Sequence, residues 1–182
     1  MQENAGDMDL YHRICAGDTA ALEGLIEQHR GDFTMFLYSI VHNRQDAEEI
    51  MVDAFAYLVA SGDRYRGQAS LKTYLFAIGR HIALRSRKKI KEIPLEPEKI
   101  IRLIQEPMDN SSAEDDCLKN QDMETLHSAI SQLSVDYRQA LTLVYFQGMT
   151  HRDAAQIMQK NVTQVTHLVA RAKQVLCRLL KE

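Results

Sequence analysis

Apolar positions recur at intervals of three and four along most of the chain, and no stretch alternates strictly, so the pattern predicts helices rather than sheet. A first short helix is expected from Asp7 to Ile14. Gly17-Asp18 breaks it, and Asp18 or Thr19 can cap a second helix running to about Gln28. Phe33, Phe36, Leu37 and Ile40 then repeat at helical spacing from Asp32 to Val41. Asn43 interrupts the pattern and caps a helix over 45–60, with Asp46 at its third position and Ile50, Phe55 and Leu58 facing inward. Gly62 ends that helix. The polar loop DRYRGQAS leads into a helix over 70–89 whose inward stripe is Leu71, Leu75, Ile78 and Ile82.

All three prolines, Pro94, Pro97 and Pro107, fall between Glu92 and Asp109, where they exclude regular helix, and the run DNSSAEDD extends the break. Residues 92–115 therefore read as a linker, with room for one helical turn at Lys99–Leu103. Helical spacing resumes near Glu114 and runs to about Leu133, then over Val135–Gln147, His151–Gln159 and Val162–Leu180. The expected fold is all-α: two small helical domains, 1–91 and 116–182, joined by an acidic, proline-bearing linker. The second domain contains a helix-turn-helix.

Composition narrows the class. At 182 residues, 45% hydrophobic and 26% charged, the chain suits one globular domain or two small ones. No apolar run approaches the ~20 residues of a membrane span, and the polar, acidic start MQENAGDMDL has no signal-peptide pattern, so a cytoplasmic location is expected. Cys15, Cys117 and Cys177 are isolated, with no CxxC and no histidine at a zinc-like spacing, so neither metal nor cofactor is expected. No serine–histidine–aspartate, paired-carboxylate or phosphate-loop arrangement appears either, which argues against an enzyme.

The net charge of −3 conceals alternating blocks. Residues 1–62 hold 3 basic and 11 acidic side chains and residues 63–91 hold 9 basic and 1 acidic. Residues 92–125 hold 3 and 10, and residues 126–182 hold 7 and 3. Two basic blocks on helix-forming segments, separated by acidic ones, predict two polyanion-facing surfaces. In the first, Phe76, Arg80 and Arg87 fall together on the expected outer face of the basic helix, with Lys72 beside them. The loop before it adds Arg64, Tyr65 and Arg66. Arginines interleaved with aromatics suit a nucleic-acid backbone with unstacked bases. The helix before it, RQDAEEIMVDAFAYLV, is acidic on one side and apolar on the other, which suits a protein partner better than phosphates.

In the second block, Thr150 with Asp153, and Asn161 with Gln164, can cap two successive helices joined by the turn Gln159-Lys160-Asn161. The second of these helices buries Val165, Leu168, Val169 and Ala172. Its other side shows Gln164, His167 and Arg171, flanked by Thr163, Thr166 and Lys173. Polar residues presented from a helix N-terminal end have the geometry of a recognition helix in a major groove.

Taken in order, these stretches resemble the extracytoplasmic-function (group four) sigma factors of bacterial RNA polymerase. DAEEIMVDAF looks like that family's polymerase-binding stretch, D-A-E-D-apolar-x-Q-E-x-F. RYRGQASLKTYLFAIGRHIAL resembles its promoter-melting and minus-ten-reading stretch, and ISQLSVDYRQALTLVYFQGMTHRDAAQIM with QVTHLVARAKQVL resembles its last domain. The resemblance implies polymerase contacts at Asp46, Glu48, Glu49, Ile50, Asp53 and Phe55. It implies minus-ten DNA contacts at Arg64, Tyr65, Arg66, Lys72, Phe76, Arg80, His81 and Arg87. Minus-thirty-five contacts would fall at Arg152, Lys160, Thr163, Gln164, His167, Arg171 and Lys173. The implied partners are core RNA polymerase, promoter DNA and an anti-sigma factor that masks these surfaces and can hold the protein at the membrane.

Departures from the pattern fall at Val52 and Asp53, where glutamine and glutamate are usual, at Tyr74 for tryptophan, His81 for asparagine, Ser134 for proline, and Leu168 for arginine. The competing reading is a helix-turn-helix regulator that binds duplex DNA without polymerase.

Overall fold

The computed structural model describes residues 3–92, 126 and 128–180. Apart from Glu92, the expected linker lies outside these residues, as do the turn at Lys99–Leu103, the helix start near Glu114, and Cys117.

The described chain is helical, as expected. Helix α1 spans Glu3–Cys15, α2 Thr19–Val41, α3 Arg44–Ala60 and α4 Leu71–Glu92. Residues 128–132 are helical, followed by α5 (Val135–Leu141), α6 (His151–Met158) and α7 (Val162–Leu179). Local capping sets most of the starts. Asp18 accepts from the Ala21 amide, Asn43 from Asp46, and Ser134 from Tyr137. Thr150–Asp153 and Asn161–Gln164 form the two expected capping boxes. Ser70 Oγ accepts from the Thr73 amide at the start of α4, and Asp7 of α1 accepts from the Leu71 amide, so α1 caps a helix 64 residues away.

Helix α1 starts at Glu3, four residues before the expected Asp7, and two other expected boundaries move. The break after Gln28 is absent, and α2 runs unbroken through Gly31. A helical glycine costs about 1 kcal/mol, less than the roughly 1.5–3 kcal/mol gained by burying each of Leu25, Phe33 and Phe36. The helix over Val135–Gln147 divides instead. After α5, residues Thr142–Phe146 form one π-helical turn, closed by the Gln147 amide on the Thr142 carbonyl at 2.9 Å. Gly148 at φ +60° then turns the chain into α6. Tyr145 and Phe146 are left half exposed.

Helix α4 is the hub. It packs against α2 and α3 on one side and α6 on the other. Burial on two sides explains a core broader than the sequence stripe: Leu71, Leu75 and Ile78 are buried as expected, but Phe76, Gly79 and Ala83 are too, while Ile82 is half-buried. One continuous apolar core joins Phe33, Phe36 and Phe76 to Leu143, Ile157, Met158 and Val165. The two groups of helices therefore share an interior. A smaller cluster of Leu133, Leu141 and Ala172 packs α7 down onto α5.

Candidate protein and nucleic-acid interfaces

Three surfaces gather the residues singled out in the sequence. The first is the acidic side of α3. The Asn43 cap and the inward row Ala47, Ile50, Met51, Ala54 and Leu58 fix its rotation. Glu49 and Asp53 then face solvent, and Asp46 and Glu48 are half-buried, with Glu48 bridged to Arg44 at 3.1 Å. Ile50 and Phe55, expected at the polymerase contact, lie in the core at 4% and 5% exposure, Phe55 with its ring edge-on to Phe33. The apolar and aromatic side chains exposed on this helix are instead Val52, at 60%, and Tyr57, at 43%. The sequence signal was available at Val52, where an apolar residue breaks the polar side of the helix. Between α3 and α4 a cleft of about 300 Å³ is lined by Asp46, Glu49 and Asp53 on one wall and Arg85 on the other. Arg85 escaped the sequence reading.

The second surface is the basic loop and α4. Arg64, Arg66 and His81 are exposed, and Arg87 is half-buried. Arg64 donates to the Tyr57 hydroxyl at 2.7 Å, which ties the basic loop to the acidic helix. Lys72 lies 3.5 Å from Asp32 and 5.6 Å from the Phe76 ring centroid.

Three expectations are corrected here. Phe76 is fully buried, not outward: its ring centroid lies 4.9 Å from Phe33 and 5.3 Å from Phe36, because α2 covers the face that a lone helix would leave open. Tyr65 is 4% exposed, its ring 5.2 Å from both Tyr11 and Tyr74. Its hydroxyl donates to the Ala69 carbonyl, and burial, aided by the Asp7 carboxylate, pushes its pKa up to about 12. Tyr65 therefore shapes the loop and does not offer a stacking platform. Arg80 is half-buried, with Nε donating to Gln139 Oε1 at 2.6 Å. Burial lowers its pKa, partly countered by Asp136.

The loop itself is held from below. The Tyr11 hydroxyl donates to the Gly62 carbonyl and lies 3.0 Å from Ser61 Oγ, so α1 fastens the turn from which Arg64 projects.

The third surface is α6–α7. Gln159 adopts a left-handed conformation (φ 54°) that ends α6 sharply and swings the chain into α7. Val165, Val169 and Ala172 are buried, Leu168 is half-buried, and Thr163, Gln164, Thr166, His167, Arg171 and Lys173 are exposed, as is Arg152 on α6. Gln164 Oε1 accepts from the Asn161 amide at 2.9 Å, which commits that oxygen to the start of α7. Lys160 is paired with Asp136 at 3.2 Å, and Lys173 lies 5.1 Å from the Tyr145 ring centroid.

Among the described residues no group of three or more histidine, cysteine or carboxylate side chains is placed to hold a metal ion, and no helix is long and apolar enough to cross a membrane.

Residues 25–92 match the family model for sigma-70 region 2, and residues 123–176 match that for sigma-70 region 4. The chain is 26% identical over 181 residues to the RNA polymerase sigma-H factor of Pseudomonas aeruginosa, covering 96% of this chain and 94% of that one. It is 26% identical over 164 residues to the RNA polymerase sigma factor SigV of Bacillus subtilis, covering 90% and 93%. Among solved structures, CnrH in complex with the cytosolic domain of CnrY superposes with a TM-score of 0.66 at 19% identity, covering 96% of this chain and 97% of that one. The sigma factor RpoE of Bartonella quintana, crystallised with the anti-sigma factor NepR, also gives 0.66, at 21% identity, covering 87% and 96%. With both halves matched in order and relatives aligned along nearly its whole length, the chain belongs to the sigma-70 family, as an extracytoplasmic-function sigma factor.

Proposed function

We infer that this protein is an alternative sigma factor: a non-catalytic subunit that binds core RNA polymerase and directs initiation at a specific set of promoters. The observation that carries the reading is the division of charge between neighbouring helices. Helix α3 presents Glu49 and Asp53 around exposed Val52 and Tyr57, while the adjoining loop and α4 present Arg64, Arg66, His81 and Arg87. Carboxylates repel phosphates, so the two surfaces need different partners: polymerase for α3 and separated promoter strands for α4. Residues 1–91 would serve polymerase and the minus-ten element. Residues 116–182 would serve the minus-thirty-five element, with His167, Arg171 and the Gln164 amide reaching bases and Arg152, Thr163 and Lys173 reaching phosphates.

An anti-sigma factor would act by covering these surfaces. The protein would work in the cytoplasm, either free or held at the membrane by that partner.

Substitutions separate the surfaces. Glu49→Gln with Asp53→Asn should slow association with core polymerase about tenfold at low salt, and the deficit should shrink as salt rises. Arg171→Ala should cost about 1–3 kcal/mol of promoter binding by the assembled holoenzyme and leave core binding unchanged. Arg171 is the better probe than Gln164, whose loss also removes a helix cap. Core binding by the α3 variant equal to that of the wild type would remove α3 from the polymerase interface.

A further inference from the structure

The acidic helix and the basic loop meet at one pair of side chains. Arg64 Nη1 donates to the Tyr57 hydroxyl at 2.7 Å, and the Arg64 guanidinium carbon lies 5.9 Å from the Tyr57 ring centroid. Both the hydroxyl and the π-face of one tyrosine therefore hold this arginine. Tyr57 lies outside the residues that the sequence pattern assigns to polymerase or to DNA.

The backbone beneath the pair is fixed from both ends. Tyr57 rises from α3 between the buried residues Phe55 and Leu58. Arg64 closes the short 3-10 turn Gly62–Arg64. Before that turn, Ser61 Oγ donates to the Leu58 carbonyl at 2.8 Å, and the Tyr11 hydroxyl donates to the Gly62 carbonyl. After it, Tyr65 is buried, and its hydroxyl donates to the Ala69 carbonyl at 2.6 Å. With the main chain held, the rotamers of Arg64 are the freedom that remains, and Tyr57 restricts them.

The choice of partner matters. A guanidinium has five N–H donors, and the hydroxyl takes one of them. Among the described residues no carboxylate forms a salt bridge with Arg64. A carboxylate would orient the arginine but neutralise it. A phenol orients it and leaves the full charge, with Nε and Nη2 open for the two-pronged grip that suits a phosphate. A side chain ordered beforehand has less entropy to lose when it binds.

We propose that Tyr57 is a positioning residue for strand capture: its hydroxyl and ring hold Arg64 ready for a backbone phosphate of the separated minus-ten strand. The proposal rests on the sigma-factor reading for the identity of that strand. It adds a role in DNA binding for an α3 side chain that touches no DNA.

The test is a double-mutant cycle on the assembled holoenzyme. Core polymerase is kept saturating, because Tyr57 also borders the polymerase-facing side of α3. The probe is fork-junction DNA with a single-stranded minus-ten element, and its affinity is measured across a salt series. Tyr57→Phe removes one exposed oxygen. It should weaken binding about threefold to tenfold and leave the salt slope unchanged, since the phosphate contact is still made. Arg64→Ala should weaken binding at least as much and reduce the slope by about 0.7, the single-strand value for one phosphate. In the Arg64→Ala background, Tyr57→Phe should then cost nothing further. Equal losses from Tyr57→Phe in both backgrounds would overturn the proposal, as would wild-type affinity in either single variant. A wild-type holoenzyme that binds the fork no better than core polymerase alone would overturn the sigma-factor reading along with the proposal, so the two failures are distinct.

Discussion

Replacing Gly79 with alanine should destabilise the protein by about 1–3 kcal/mol, whereas alanine at Gly24 or Gly31 should stabilise it by roughly 0.5–1 kcal/mol. All three glycines lie inside helices. By helix propensity alone each change is favourable, so the difference in sign comes from packing. A Cβ on Gly79 would sit 2.4 Å from Phe33 Cζ, 2.6 Å from Cε2 and 3.1 Å from Leu37 Cδ2. Those atoms cannot swing away, because Phe33 is fully buried between Phe55 and Phe76. Helix α4 must therefore move off α2, loosening the element from which the basic surface projects. A Cβ on Gly24 or Gly31 meets nothing within 4 Å. Denaturant midpoints at constant slope measure the three effects together. A stabilised Gly79→Ala would mean that α2 and α4 do not approach as described.

Arg138→Ala should cost on the order of 3 kcal/mol, from two buried acceptors and one part-buried acceptor left without donors. Arg138 is 5% exposed, and among the described residues no carboxylate forms a salt bridge with it. Its guanidinium instead donates to main-chain carbonyls: Ser39 at 3.0 Å, Ser131 at 2.9 Å, and Leu133. Ser39 lies in the last turn of α2, and Ser131 at the end of the helical segment 128–132. Carbonyls at helix ends have no partner within the helix and carry the negative end of its dipole. One cation thus caps two helices from different parts of the chain. Arg138→Lys should recover less than half of the loss, since an ammonium lacks the planar fork that reaches three acceptors at once. A change below about 1 kcal/mol for the alanine variant would show that water or rearrangement satisfies these carbonyls.

The contrast between these two residues and the helix caps shows what the sequence could reveal. Asn43, Thr150 and Asn161 were legible because each cap bonds a residue three positions away. The polar side of α7 was legible for the same local reason, since three-and-four spacing on a helix covered from one side assigns every face. Helix α4 defeats that logic. It is covered on both sides, so Phe76 belongs to the core, although the periodicity of an isolated amphipathic helix places it outside. Tyr65 was misplaced because its ring partners, Tyr11 and Tyr74, come from α1 and α4. Arg80 was correctly set away from the Leu71–Leu75 stripe, yet a second unit distant in sequence covers it. On α3 the acidic side was visible. The exposure of Val52 and Tyr57 depended on how far the helix turns into the core. What escaped the sequence is tertiary in origin: which faces are covered twice, and by what.

The most direct measurement of the central claim is initiation by purified core RNA polymerase with and without this chain. Genomic fragments serve as templates, and transcript starts are mapped. The account predicts that adding the protein at mild salt produces new starts sharing paired minus-thirty-five and minus-ten elements, and that Arg171→Ala weakens those starts. Unchanged start sites, together with tight binding of the free protein to duplex DNA, would contradict it and identify a regulator that works without polymerase.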